Sequence, residues 1–141
     1  NEGYACNRQL GFGFLDMAWH TLSEPFEGEV SDKEEAAFSK TELGSFDRSL
    51  NMSCSFTHLF GGGYAAGYYG YKWAEVLDAD AFSCFRESGI FNQELADSFR
   101  LNILEKGDTE KPMDLYIKFR GKEPSMEPFL KRSGLKRDDK N

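Results

Sequence analysis

His58, Tyr64, Tyr68 and Tyr71 are the side chains whose types and spacing could do chemistry. They fall in one stretch, residues 55–78 (SFTHLFGGGYAAGYYGYKWAEVLD), which holds one of only 2 histidines and four of the 6 tyrosines. An imidazole and several phenols donate hydrogen bonds, and such donors stabilise a carbonyl or a developing oxyanion. None of them is an obvious nucleophile. The set reads as half a site.

The elements that must position these groups follow from local pattern. Spacing predicts a helix from Tyr64 to about Glu87, with Tyr64, Tyr68 and Tyr71 on one stripe at i, i+4, i+7. Glu75 and Asp78 continue that stripe. Tyr69, Trp73, Val76 and Leu77 lie opposite as packing residues, with Gly67, Gly70 and Ala74 between. Two readings stand side by side: the tyrosines line a cleft wall, or they are core with each hydroxyl on a nearby carbonyl. Gly61, Gly62 and Gly63 form a poor helix former that frees the backbone to turn. They join the tyrosines to His58, placed on a short preceding helical turn.

At 141 residues with 40% hydrophobic content, the chain suits one helical domain over residues 1–135 and a charged tail over 136–141. A net charge of -7 makes nucleic acid a poor partner, because phosphate binding needs clustered basic side chains. No apolar run has the length and character of a membrane span, so no membrane is expected. Cys6, Cys54 and Cys84 are odd in number and form no C-x-x-C pair, which points to reduced thiols and a cytoplasmic setting. The chain opens on Asn1 and not on Met, so a piece of a longer protein is expected.

Along the chain the pattern is all-α. Residues 4–22 predict a helix on which Leu10, Phe14, Met17 and Ala18 share a stripe widened by Phe12, Leu15 and Trp19 until it is apolar nearly all round. His20 closes it as a structural residue suited to the helix C-terminus. Ser31 to Glu34 has capping-box spacing and opens a short charged helix to about Thr41. Residues 44–53 are loop. Gly89, Gly107, Gly121 and Gly134 read as helix stops. Asn92 caps a helix over 93–106 with Leu95, Phe99 and Ile103 inward. Pro112 opens the next, with Leu115, Tyr116 and Phe119 inward, and Ser125 caps a last one carrying Met126, Phe129 and Leu130.

Other chemistries are weakly represented. His20 and His58 are too far apart for a local metal motif, no H-E-x-x-H occurs, and the glycine run lacks the ending of a phosphate loop. No metal ligand is assigned in this chain.

The run FTHLFGGGYAAGYYGYKWAEVLDADAF resembles the C-terminal part of the thimet oligopeptidase, oligopeptidase A and peptidyl-dipeptidase family of zinc metallopeptidases. LDMAWHTL upstream is most similar to the bacterial peptidyl-dipeptidase branch. GIFN, SFRLNIL and FRGKEPSMEPFLKRSGL extend the likeness downstream. The resemblance implies the C-terminal helical portion of a two-lobed, channel-containing enzyme, with zinc held by residues upstream of this chain. It also implies that His58 and Tyr71 stabilise the tetrahedral oxyanion. Tyr64, Tyr68, Gly62 and Gly63 then meet a short peptide substrate.

On this reading the chain contributes substrate and oxyanion contacts to a peptidase and is inactive alone. Its partner is the N-terminal remainder of the parent, and an exposed apolar face on the first helix is expected to drive self-association. A stand-alone helical binding module is the competing reading, and it expects Tyr64, Tyr68 and Tyr71 all buried.

Overall fold

The computed structural model describes residues 1–136; positions 137–141 of the charged tail lie outside the described residues. Among the described residues every regular element is helical, as the sequence pattern predicts. The chain divides into two compact units, residues 1–73 and 74–141, each taken by itself below.

In the first unit, α1 (Glu2–His20) passes straight through Gly11 and Gly13. Gly11 is required there by close approach. A Cβ on it would come within 2.8 Å of Thr41 Oγ1 and 2.9 Å of the Phe38 ring. That ring ends α2 (Val30–Phe38). The buried face of α1 is Cys6, Gly11, Phe12, Leu15 and Asp16. This corrects the expected stripe: Leu10, Phe14 and Met17 are exposed. A helix apolar nearly all round gives periodicity no face to choose. The stripe also left Asp16 out of account, and Asp16 is buried completely.

The capping box at α2 also gives way. The helix begins at Val30 behind Glu29, with no side-chain cap. Glu34 is fully buried and accepts hydrogen bonds from the backbone N–H groups of Met52 (3.1 Å) and Ser53 (2.6 Å). A carboxylate committed to the 3-10 turn Met52–Cys54 cannot reach back to its own helix N-terminus. Trp19 Nε1 donates to Ser53 Oγ at 2.8 Å and fastens the same turn to α1. α3 (Thr57–Phe60) is the expected short turn carrying His58.

The predicted start of the long helix is corrected as well. α4 runs Gly70–Ser88, and Tyr64 to Tyr69 form turns before it. Ala66 adopts φ 55, the one positive φ of a non-glycine residue among those described. A left-handed residue stops helical propagation, at a cost of roughly 1–2 kcal/mol for a side chain with Cβ. Tyr69 and Trp73, expected to pack, are exposed in this chain, whereas Val76 is buried.

The second unit takes the rest of α4 with α5 (Gln93–Phe99), a π-helical turn (Arg100–Leu104), α6 (Pro112–Arg120) and α7 (Glu127–Arg132). Asn92 caps α5 as predicted, its side chain accepting from Leu95 N at 3.0 Å. The helix expected over 93–106 continues from α5 through the π-turn. All four predicted glycine stops carry positive φ. Ser125 Oγ accepts from Glu127 N at 3.2 Å, although Met126 is the residue flanking α7. Leu115, Tyr116 and Phe119 are buried as expected, and Phe119 meets Phe99 edge-on at 5.1 Å between centroids.

A buried charge organises this unit. Asp80 is fully buried; its Oδ2 accepts from the Tyr116 hydroxyl at 2.7 Å and from Arg120 Nε at 3.1 Å. Burial first, then the bond to Asp80, pushes the Tyr116 phenol well above its ordinary pKa. Breaking a buried pair strands the remaining charge, and this typically costs about 3–5 kcal/mol. Arg120→Met should therefore lower stability by about 3 kcal/mol or more, read from urea unfolding. A loss under about 1 kcal/mol would show the pair to behave as a surface one.

Candidate functional site

His58, Tyr64, Tyr68 and Tyr71 come together although they do not share a helix stripe. Their rings form a closed circuit with Phe56. His58 lies 5.8 Å from Tyr64, Tyr64 stacks on Tyr71 at 5.3 Å with planes 21° apart, and Tyr71 meets Tyr68 at 5.1 Å. Tyr68 then reaches Phe56 at 5.3 Å, and Phe56 returns to His58 at 5.7 Å. Aromatic pairs at such separations contribute about 0.5–1.5 kcal/mol each beyond the area they bury. The ring contacts therefore add to the stability of the circuit once its members are brought together.

The circuit has an inner and an outer side. Tyr68 is 8% exposed and belongs to a core cluster with Phe12, Leu15 and Leu59. Phe12 sits edge-on to both Phe56 (5.0 Å) and Tyr68 (5.8 Å). Tyr64 at 37% and Tyr71 at 41% face outward, and His58 is exposed beside them. The two readings of the phenols therefore divide by residue: Tyr68 is core, while Tyr64 and Tyr71 line a surface.

Backbone geometry explains why these groups meet. Asp16, at the buried face of α1, accepts from Ala66 N and from Tyr68 N, each at 2.9 Å. Its carboxylate also lies 2.8 Å from His20 Nδ1. Those two amides flank Gly67, so the carboxylate fixes the turn between Tyr64 and Tyr71 from beneath. Gly63, at φ 78 with open space where a Cβ would be, and Gly62 supply the turn between α3 and the tyrosines. A Cβ on Gly62 would come within 3.2 Å of His58 Cα, so this position sets how closely the loop passes the histidine.

Sequence reasoning missed Asp16, Phe12 and Phe56. For Asp16 there was a signal, a lone carboxylate inside an otherwise apolar helix segment. His20 is structural as expected, its ring packed 5.5 Å from that of Phe60.

The outer phenols are electronically linked. A hydrogen bond between the side chains of Tyr71 and Tyr64 is the largest cause raising the Tyr71 pKa above its ordinary value, followed by partial desolvation and by the charges Tyr64 and Tyr68 would carry. With His58, Tyr71 offers two donors on one open aromatic face, an arrangement suited to a polarised or tetrahedral oxygen. Among the described residues no group of three or more His, Cys, Asp or Glu could hold a metal ion. No helix among them is long and apolar enough to cross a membrane.

Comparison with known proteins shows the family. The family description "Peptidase family M3" matches residues 1–135. Oligopeptidase A of Escherichia coli (strain K12) is 44% identical over 137 residues, which cover 92% of this chain and 19% of that protein. Probable cytosolic oligopeptidase A of Arabidopsis thaliana is 42% identical over 133 residues, 91% of this chain and 19% of that protein. Dipeptidyl carboxypeptidase of Salmonella typhimurium is 38% identical over 143 residues, 97% of this chain and 20% of that protein. The chain thus spans about a fifth of the length of these curated relatives. Both the oligopeptidase A and the dipeptidyl carboxypeptidase relatives match over most of the chain, at 44% and 38% identity.

The tyrosine pair makes a titration prediction. A raised phenol pKa means the folded state favours the protonated form, so that stabilisation is present below the unfolded pKa and lost as pH rises through the folded one. Tyr64→Phe should move Tyr71 down towards the ordinary 10.0, seen by phenolate ultraviolet absorbance against a Tyr71→Phe control. An unchanged titration would show the two hydroxyls do not act on each other.

Proposed function

Because this chain belongs to peptidase family M3, we propose that it supplies the substrate- and oxyanion-contacting face of a zinc-dependent oligopeptidase that hydrolyses short peptides. The observation carrying this is the pair of exposed donors, His58 and Tyr71, fixed on one aromatic circuit within a family of peptidases. The described residues do not themselves fit a metal. Zinc, and the general base, belong on this reading to the part of the parent outside this chain, and the chain alone is inactive.

What these residues do follows from their chemistry. As a peptide carbonyl becomes tetrahedral its oxygen gains negative charge, and donors already aimed at that position stabilise the transition state more than the ground state. Tyr71 donates its O–H; His58 donates a ring N–H. Tyr64 faces the peptide beside Tyr71, where its hydroxyl can exchange its bond to Tyr71 for one to substrate. Gly62 and Gly63 let peptide backbone approach the loop closely. Tyr68 is kept as a peptide contact through the small part of its surface that remains open, with its ring as support beneath the other two.

The outward stripe of Leu10, Phe14 and Met17 supports the reading that further chain packs on α1. The N-terminal remainder of the parent is its proposed occupant, with self-association expected where that remainder is absent. The stand-alone module requires all three tyrosines buried, and only Tyr68 is. A cytoplasmic setting remains part of the proposal. One relative is named cytosolic and another organellar, so location does not follow from the family.

Tyr71→Phe in the intact parent should lower kcat on a short peptide by about 10²–10³-fold, the cost of losing one oxyanion donor. Steady-state kinetics checks it, and unchanged turnover would remove Tyr71 from the reaction.

A further inference from the structure

We infer that Asp16 is a positioning residue for this site, setting the pose of Tyr64 and Tyr71 without touching substrate. The inference rests on the peptidase reading given above. Asp16 has no exposed surface, so it can reach neither a peptide nor a reacting atom. Its two carboxylate oxygens instead take Ala66 N and Tyr68 N, across 50 and 52 residues of sequence. The segment between α3 and α4 lacks regular structure. Its internal backbone bonds, Gly67 N to Tyr64 O at 2.8 Å and Gly70 N to Gly67 O at 3.0 Å, are local ones that close turns without fixing them to the core.

Ala66 is what such a clamp would have to hold. Its φ of 55 is disfavoured for a residue with Cβ, and a free turn would relax towards negative φ. That relaxation would rotate the peptide groups between Tyr64 and Tyr71 and separate their stacked rings. Both carboxylate oxygens are occupied, so one acceptor cannot replace two. Asn at position 16 would accept one N–H and turn its own amide hydrogens toward the other. His20, whose Nδ1 approaches the same carboxylate while its ring packs on Phe60, ties the clamp to the helical turn that carries His58.

The test is Asp16→Asn in the intact parent enzyme, alone and combined with Tyr71→Phe. A displacement of about 1 Å at a reacting group can cost on the order of 10²-fold in rate. The expected result is a 10- to 100-fold fall in kcat, on the order allowed by that displacement, with KM moved by less than about 3-fold because the peptide-binding walls stay in place. If Asp16 acts through Tyr71, the same substitution in the Tyr71→Phe background should cost less than about 2-fold more. An equal loss in both backgrounds would overturn the inference and leave Asp16 a general stabiliser.

A second measurement needs no variant. Amide hydrogen exchange on the unmodified protein should find Ala66 N–H and Tyr68 N–H far slower than the neighbouring Gly62 and Gly63, although all lie outside helices. Exchange of Ala66 and Tyr68 as fast as those glycines would overturn the clamp even if Asp16→Asn does not fold. Should Tyr71→Phe alone leave turnover unchanged, the oxyanion assignment fails, and Asp16 stands or falls on the exchange rates.

Discussion

A buried carboxylate holding two backbone amides is the interaction on which the first unit depends. Taking Asp16 out of water is unfavourable unless its oxygens are bonded, and hydrogen bonds to a charged group contribute about 1.5–3 kcal/mol each. Two amides at 2.9 Å and the nearby imidazole meet that requirement. The bonds also convert a turn that would otherwise wander into one with a fixed pose. The aromatic circuit can then close, because Tyr64 and Tyr71 are delivered to the same place from opposite sides of Gly67. Stacking alone could not choose that geometry.

Buried carboxylates organise distant groups at two further places. Glu34 holds the 3-10 turn ahead of His58 by its amides, and Asp80 holds Tyr116 and Arg120 within the second unit. Asp80 Oδ1 has no partner among the described residues, which leaves that carboxylate less satisfied than the other two. In each case a charged side chain on a helix is spent on structure far away in sequence. Such groups specify one arrangement more sharply than apolar packing, since a slip by one residue leaves a buried charge unmatched.

Elements governed by local rules were legible in the sequence. The Asn92 cap, Pro112 at a first turn, the glycine stops and the inward face of α6 depend on neighbours within one turn, and all appear as read. The failures have one origin. Glu34 left its predicted capping box, α1 buried the face bearing Asp16, and Tyr64 to Tyr69 stayed out of the helix because buried carboxylates claimed amides from distant segments. Periodicity records which residues could share a face. It does not record a bond made across 50 residues. His58, Tyr64, Tyr68 and Tyr71 were still the right group to single out as neighbours, since residue type and proximity in sequence survived the wrong secondary structure.

The account's central claim is that Tyr71 and His58 present their donors to one oxygen. The direct measurement is a crystal structure of the intact parent bound to a peptide analogue with a tetrahedral centre. The account predicts the Tyr71 hydroxyl and a His58 ring nitrogen each within about 3 Å of the tetrahedral oxygen, with the Tyr64–Tyr71 hydroxyl bond given up. A tetrahedral oxygen met by other groups, with Tyr71 still bonded to Tyr64, would contradict it.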